Sequence, residues 1–336
     1  MLVTHEFRPL ALAEAKAKGL PDLGIVTVPH PIGGIAEDLV AGKARAAVDD
    51  ALAALTGGSP VGGGASAIVE GPASRHRAPD DLLGFQGFMM EQGWGDGLPL
   101  IPATPERVAA MLAATRRPPG DLVAVLPPRL GCATVELVAV NAVLAGALPE
   151  HLPVILAAVE AVGQPAFNLQ AIQTTTHPCS PLVIVNGPIA GRLRINGAGN
   201  ALGQGHRANA VIGRAVRLVL QNVGGTIPGE TDRATLGHPG KFTYCLAENE
   251  AESPWEPLHV ERGFRRDASC VTVLGAAGPH NVNDHGSASA DSLLKTLAGT
   301  LAAPASNNII TAAKRSSSAA RSTRAPSRTP AGRRPT

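Results

Sequence analysis

The stretch from Leu182 to Gln221, LVIVNGPIAGRLRINGAGNALGQGHRANAVIGRAVRLVLQ, admits few folds. Its apolar run, Leu182 to Val185, has the length and β-branched content of a buried strand and ends in Asn186-Gly187. The alternating run Arg192-Leu193-Arg194-Ile195 reads as a second, short strand. Gly197, Gly199, Gly203 and Gly205 follow, then a helix from Arg207 with apolar residues at Val211, Ile212, Ala215, Val219 and Leu220. Glycines between a strand and a helix let backbone N–H groups converge on one point, and the helix N-terminus adds partial positive charge there. The expectation is an α/β fold with a cradle for a small electron-rich group, built from Asn186, Gly197, Gly199, Asn200, His206 and Arg207. The glycine spacing is a variant of the dinucleotide loop, but the acid that should follow about 20 residues later is missing. The sequence therefore names no cofactor.

The rest of the chain fits α/β segments between turns. Helices are expected over Pro9–Gly19, Glu37–Leu55, Asp80–Gln92, from Thr104-Pro105, over Thr134–Gly146, Glu150–Val162 and from Asp291. Strands are expected at Gly24–Val28, Leu122–Leu126, Phe242–Ala247 and Cys270–Leu274. Residues 57–80 are rich in Gly, Ser and Pro and read as a linker. After Ile310 the chain is almost wholly Ser, Thr, Arg, Pro and Ala, the composition of a disordered tail. The fold expected is a mixed multi-layer α/β domain over residues 81–310, preceded over residues 1–56 by part of a Rossmann-like α/β unit.

Of the 29 Lys and Arg, seven lie after Thr311 where no acid does, so residues 1–310 hold 22 basic and 27 acidic side chains, a net charge of −5. A mildly acidic body gives no reason to expect nucleic acid or an anionic membrane as partner. No apolar run approaches the roughly 20 residues of a membrane span. Cys132, Cys179, Cys245 and Cys270 stand far apart, without a CxxC or zinc-finger spacing, so a reducing cytoplasm is the expected compartment. The partner expected is a small molecule, and an oligomer is compatible with the sequence.

Three further groups carry candidate chemistry. The polar run Asn168, Gln170, Gln173, Thr174, Thr175, Thr176, His177 sits between apolar segments, where buried amides and hydroxyls need partners. It either lines a site with Asn168 and Gln173 or forms a buried loop. His177 and Cys179 flank Pro178 and could pair as imidazole and thiolate, while an inert buried cysteine is the plainer alternative. His280, Asp284 and His285 lie on one loop and could bind a divalent metal, with Glu248 and Glu250 as further acids, or could be ordinary surface residues. His177 or His285 would be the proton-transfer group, since an imidazole titrates near neutral pH. In Gly93-Trp94-Gly95-Asp96-Gly97-Leu98-Pro99, Trp94 suits the core and Asp96 an Asx turn.

Four stretches, GWGDGLPLIPATPERVAAML (93–112), GCATVELVAVNAVLAGALPEHLPVILAAVEA (131–161), the block from Asn168 to Phe264 and HNVNDHGSASADSLLKTLAGTLAAPASNNI (280–309), resemble the bacterial UGSC family of (seleno)proteins. LPDLGIVTVPHPIGG (20–34) resembles the end of that family's N-terminal domain. The resemblance implies redox- or thiol-linked chemistry on a small polar or anionic substrate. The family's U/Cys-Gly-Ser-Cys motif does not occur here, and a basic tail stands where the family continues with ordered sequence. Both departures lead us to expect an incomplete gene product. The other class of function compatible with the sequence is a non-catalytic ligand- or metal-binding subunit, or an inactive truncated relative.

Overall fold

The structure is a computed structural model that describes residues 1–5, 8–17, 19–30, 32, 35–56, 75–302 and 323–324. The chain divides into two compact units, Met1–Ala67 with Leu297–Ala313, and Ile68–Thr296 with Lys314–Thr336.

In the first unit, β1 (Leu2–Thr4) and β2 (Val26–Val28) pair in parallel, Leu2 against Val26 and Thr4 against Val28. Parallel neighbours need a crossover, and α1 (Arg8–Ala17) supplies it. Val26, Val28 and Ala47 form the small core. The single helix expected over Glu37–Leu55 is two, α2 (Glu37–Ala46) and α3 (Val48–Thr56). The break falls at Ala47, where neither glycine nor proline marks it.

The second unit is a mixed α/β fold. Its main sheet has the order β6-β5-β7-β8, with β5 (Ser180–Asn186), β6 (Cys245–Ala247), β7 (Cys270–Ala276) and β8 (Thr323–Arg324). β5 runs parallel to β6, Val183 opposite Cys245, and antiparallel to β7, Val183 opposite Val273. A separate antiparallel ladder joins β3 (Leu122–Leu126) to β4 (Gly131–Thr134). Apart from β8, the tail after residue 302, where a disordered segment is expected, lies outside the described residues, as do residues 57–74 of the expected linker.

Helices α6 (Val135–Leu144), α7 (Leu152–Val162) and α10 (Arg207–Asn222) pack together, with α7 and α10 against the sheet. α6 and α7 are largely apolar, with seven and nine of their residues buried, as helices mostly enclosed by other elements must be. Val135, Val138, Leu152, Ile155, Ile212, Leu218 and Val183 are fully buried, each worth about 1.5–3 kcal/mol of transfer free energy. Side chains set the helix starts. Asp81 accepts the Gly84 N–H at α4 (Leu82–Glu91), and Thr104 caps α5 (Pro105–Leu112) with Pro105 in its first turn. Thr134 caps α6 by accepting the Leu137 N–H.

Two short helices stand where the sequence suggests otherwise. The run before the glycines is not a strand. Gly187 at φ +80 turns the chain, Pro188 opens α9 (Pro188–Arg192), and Leu193–Ile195 continue as a turn. Within the polar run, Leu169–Thr174 forms α8, entered through Asn168 in the left-handed conformation at φ 55. α11 (Leu258–Glu261) and α12 (Ala290–Leu301) complete the helices.

Candidate functional site

The buried half of α10 carries an anomaly. From Ala215 to Gln221 every residue is buried, yet position 217 is an arginine. A buried guanidinium must be paired. Arg217 Nη2 donates to Asp232 Oδ2 at 3.0 Å and Nη1 to Gln173 Oε1 at 3.4 Å. Gln173 in turn donates through Nε2 to Thr226 Oγ1 at 2.6 Å, and both residues are buried. Lys241 Nζ lies 3.0 and 2.8 Å from the two Asp232 oxygens. Asp232 also accepts the Ala234 N–H at 3.1 Å. Burial pushes the Asp232 carboxyl upward as the largest single influence. The Lys241 hydrogen bond, the Ala234 N–H and the Lys241 and Arg217 charges together carry it below its ordinary value.

His238 stands at the edge of this cluster. Its Nδ1 accepts the Gly240 N–H at 3.1 Å, so the proton of the neutral ring sits on Nε2. That Nε2 is buried and has no partner among the described residues. The ring meets Tyr244 edge-on at 5.5 Å, and the Tyr244 hydroxyl donates to Ala277 O at 2.9 Å. Burial, followed by the charges of Lys241 and His177, lowers the His238 pKa and favours the neutral ring. A small cavity opens beside the cluster, lined by Ser180, Gly213, Arg217, Leu220, Gly240 and Tyr244 among others. Its interior has room for about one water molecule, far below the roughly 300 Å³ at which drug-sized ligand sites begin.

This cluster gathers part of the sequence-derived set. Gln173 is a member, and His177 is near enough for its charge to reach His238. Cys179 lies alongside, at the entry to β5, with its thiol directed at Ile172 O at 3.7 Å. Burial raises its pKa, only partly offset by Lys241, which is the setting of an inert thiol and not of an activated nucleophile. Asn168 is exposed and serves through its backbone at the start of α8.

The single cradle expected from the sequence divides in two. Gly197 packs against the Ala247 backbone at the far end of β6, and Asn186 is the last residue of β5. Six residue steps along β5, about 20 Å, separate that end from Cys179 and Ser180. One small ligand cannot touch both. The glycine loop is moreover closed on itself by amides. Asn209 accepts the Asn196 N–H and donates to Asn196 O, Ala201 O and Cys245 O, while Asn200, at φ 59, donates to Gln204 O. Gly199 O accepts from Asn196. His206 precedes α10 without capping it by its side chain, and Arg207 donates to Gly146 O at 2.9 Å. These contacts describe a tied turn.

His280 and His285 are exposed on the loop after β7. Asp284 between them accepts the Gly286 and Ser287 N–H groups and the Ser287 hydroxyl. These bonds, the hydroxyl's first, take its carboxyl down to about 2. The expected convergence on a metal is therefore not what this carboxylate does. Among the described residues no three His, Cys, Asp or Glu side chains form a group able to hold a metal ion. Asp96 makes the expected Asx turn, accepting the Leu98 N–H, and also grips Arg214 through two bonds of 2.7 and 2.8 Å. Trp94 packs against the core, edge-on to Phe88 and His76.

Arg217 had a sequence signal, a charge inside the apolar end of a helix. Asp232, His238 and Lys241 had none, since they sit in an aperiodic loop and are recruited by tertiary contact alone.

Fold and site define a mixed α/β protein with a buried Arg–Asp–Lys cluster beside a small cavity. Residues 1–57 match the family model described as the UGSC family. The four stretches quoted above lie outside the matched residues. No curated protein and no solved structure matches the chain. No helix among the described residues is long and apolar enough to cross a membrane.

Proposed function

We propose that the second unit binds a small anion, the carboxylate or phosphate group of a small polar substrate, at the mouth of the small cavity between α10 and the start of β5, and that His238 is the proton-transfer group there. The observation that carries this reading is the buried Nε2–H of His238, left without an acceptor on a ring that the Lys241 charge reaches. Two cations face one carboxylate in the cluster, leaving a positive charge and a surplus of donors. An anion supplies what is missing, because a buried donor without an acceptor costs about 1–3 kcal/mol. On this reading Lys241 and Arg217 hold the ligand's charge, and His238 gives or takes a proton at the bound oxygen.

The redox- or thiol-linked chemistry expected from the resemblance draws no support from Cys179. Its inert setting favours the second reading, in which the site binds its anion without catalysis.

Titration calorimetry with sodium sulfate, whose charge is constant over the range, tests the site. Binding should tighten as pH falls from about 7 to about 5.5, because a bound anion favours protonated His238. Lys241→Met should weaken binding about tenfold, the loss expected of one charge-assisted hydrogen bond. Sulfate and acetate that fail to bind, or bind equally well to the variant, would overturn the proposal.

A further inference from the structure

The opposite end of β5 has the opposite chemistry. Because β5 and β6 are parallel, they finish on the same side of the sheet, the side where open α/β sheets place their ligands. Asn186 ends β5, and Glu248 and Glu250 follow β6. Asn186 Nδ2 donates to Glu248 Oε2 at 2.5 Å and to Glu250 Oε1 at 2.9 Å. The Gly187 N–H reaches Glu250 Oε1 at 2.7 Å, and the Leu258 N–H reaches Glu248 Oε2 at 2.8 Å. One oxygen of each carboxylate is thereby engaged in holding turns. The other oxygen of each has no hydrogen bond among the described residues, and neither carboxylate has a Lys or Arg partner there.

Two fully buried side chains add unpartnered acceptors. Asn186 Oδ1 is buried and makes no hydrogen bond among the described residues. His259 is 0% exposed, and its Nε2 lies 3.3 Å from Arg266 O. A carbonyl only accepts, so Nε2 carries the proton and Nδ1 presents a lone pair. That Nδ1 has no hydrogen-bond partner and lies 3.8 Å from Glu250 Oε1. Two carboxylates, an amide oxygen and an imidazole nitrogen thus belong to one contact cluster in which acceptors are in excess. The Glu250 side chain is 28% exposed, so the cluster is open to solvent on one side.

We propose that this cluster, Asn186, Glu248, Glu250 and His259 at the carboxyl ends of β5 and β6, is a binding site for a primary ammonium group. Such a group brings positive charge and three N–H donors in tetrahedral directions to acceptors that have none. A divalent metal fits less well. No group of three His, Cys, Asp or Glu side chains able to hold a metal ion occurs among the described residues. The site is independent of the anion site at the other end of the strand.

Amide chemical shifts of the whole chain, titrated with methylammonium chloride, test this without reference to activity. The Gly187 and Leu258 N–H signals should move and saturate. Tetramethylammonium, equally charged but without N–H donors, should leave them in place. Glu250→Gln keeps an acceptor for the Gly187 N–H while removing the charge, and should weaken binding about tenfold. Calorimetric sulfate binding at the Arg217 cluster should be unchanged in this variant, which keeps the two proposals separable. Three results would overturn the ammonium site. They are no shift up to about 100 mM methylammonium, where a millimolar site would be full, an equal response to tetramethylammonium, and saturation of the same amides by magnesium chloride but not by methylammonium.

Discussion

At the scale of single residues, the fold depends on charges placed where water cannot solvate them. Asp96 shows the principle. Its side chain is 5% exposed and its partner Arg214 14%, and the paired bonds fix the Gly93–Pro99 loop to α10. Gln221 and Asn222 reinforce the attachment by donating to Gly95 O and Trp94 O. Removing one partner leaves the other charge buried and uncompensated, so Asp96→Ala should cost about 3 kcal/mol in a denaturant titration. Asp96→Asn keeps the Asx acceptor and should cost less. The residues themselves announced half of this. A small acid between glycines signals a turn, whereas its partner 118 positions away in sequence could not be read from spacing. The same limit hid the site. Gln173, His177 and Cys179 stood out as polar residues in an apolar setting, but which charges surround them depends on how α10 lies against β5.

At the scale of elements, legibility follows length and period. α10, β5 and β7 lie within a few residues of where hydrophobic pattern puts them, α10 because its apolar face repeats over several turns and the strands because their apolar, β-branched runs are bounded by turn residues. The four-residue alternation Arg192–Ile195 was too short to outweigh Gly187-Pro188, which starts a helix instead. Close packing of α10 on the entry to β6 depends on Gly213. A Cβ there would stand 2.5 Å from both Thr243 Oγ1 and the Tyr244 nitrogen. Alanine improves helix propensity by about 1 kcal/mol but overpacks this contact by about 1–3 kcal/mol. Gly213→Ala should therefore lower the denaturation midpoint. Because Gly213 and Tyr244 both line the cavity, it should weaken sulfate binding as well. A stabilised variant with intact binding would show that the helix can move away from β6 at little cost.

At the scale of the whole molecule, the ionisable groups whose folded pKa is shifted set how stability depends on pH. His238 has a lowered folded pKa, first from burial and then from Lys241 and His177. His151 is lowered too, by burial first, with Glu150 opposing and Arg207 assisting. Below about 6.5 the unfolded chain takes up protons that these two rings refuse in the fold, so stability falls as pH drops from that point. Two carboxyls act lower down. Asp232 and Asp284 both have folded values below 3.8, and that of Asp284 is about 2. Their contributions are complete above 3.8 and disappear as pH falls through the folded values. Stability should therefore decline in two limbs, a histidine limb below about 6.5 and a carboxylate limb below about 4. Chemical denaturation across pH resolves them. His238→Gln should flatten the upper limb in part, leaving the share of His151. Asp284→Asn should flatten the lower limb between about 4 and about 2 without touching the upper one. Saturating sulfate discriminates further. An anion on His238 raises its folded pKa, so sulfate should stabilise the protein most in the upper limb and lose that effect in His238→Gln. An upper limb unchanged by both sulfate and the substitution would remove His238 from the anion site.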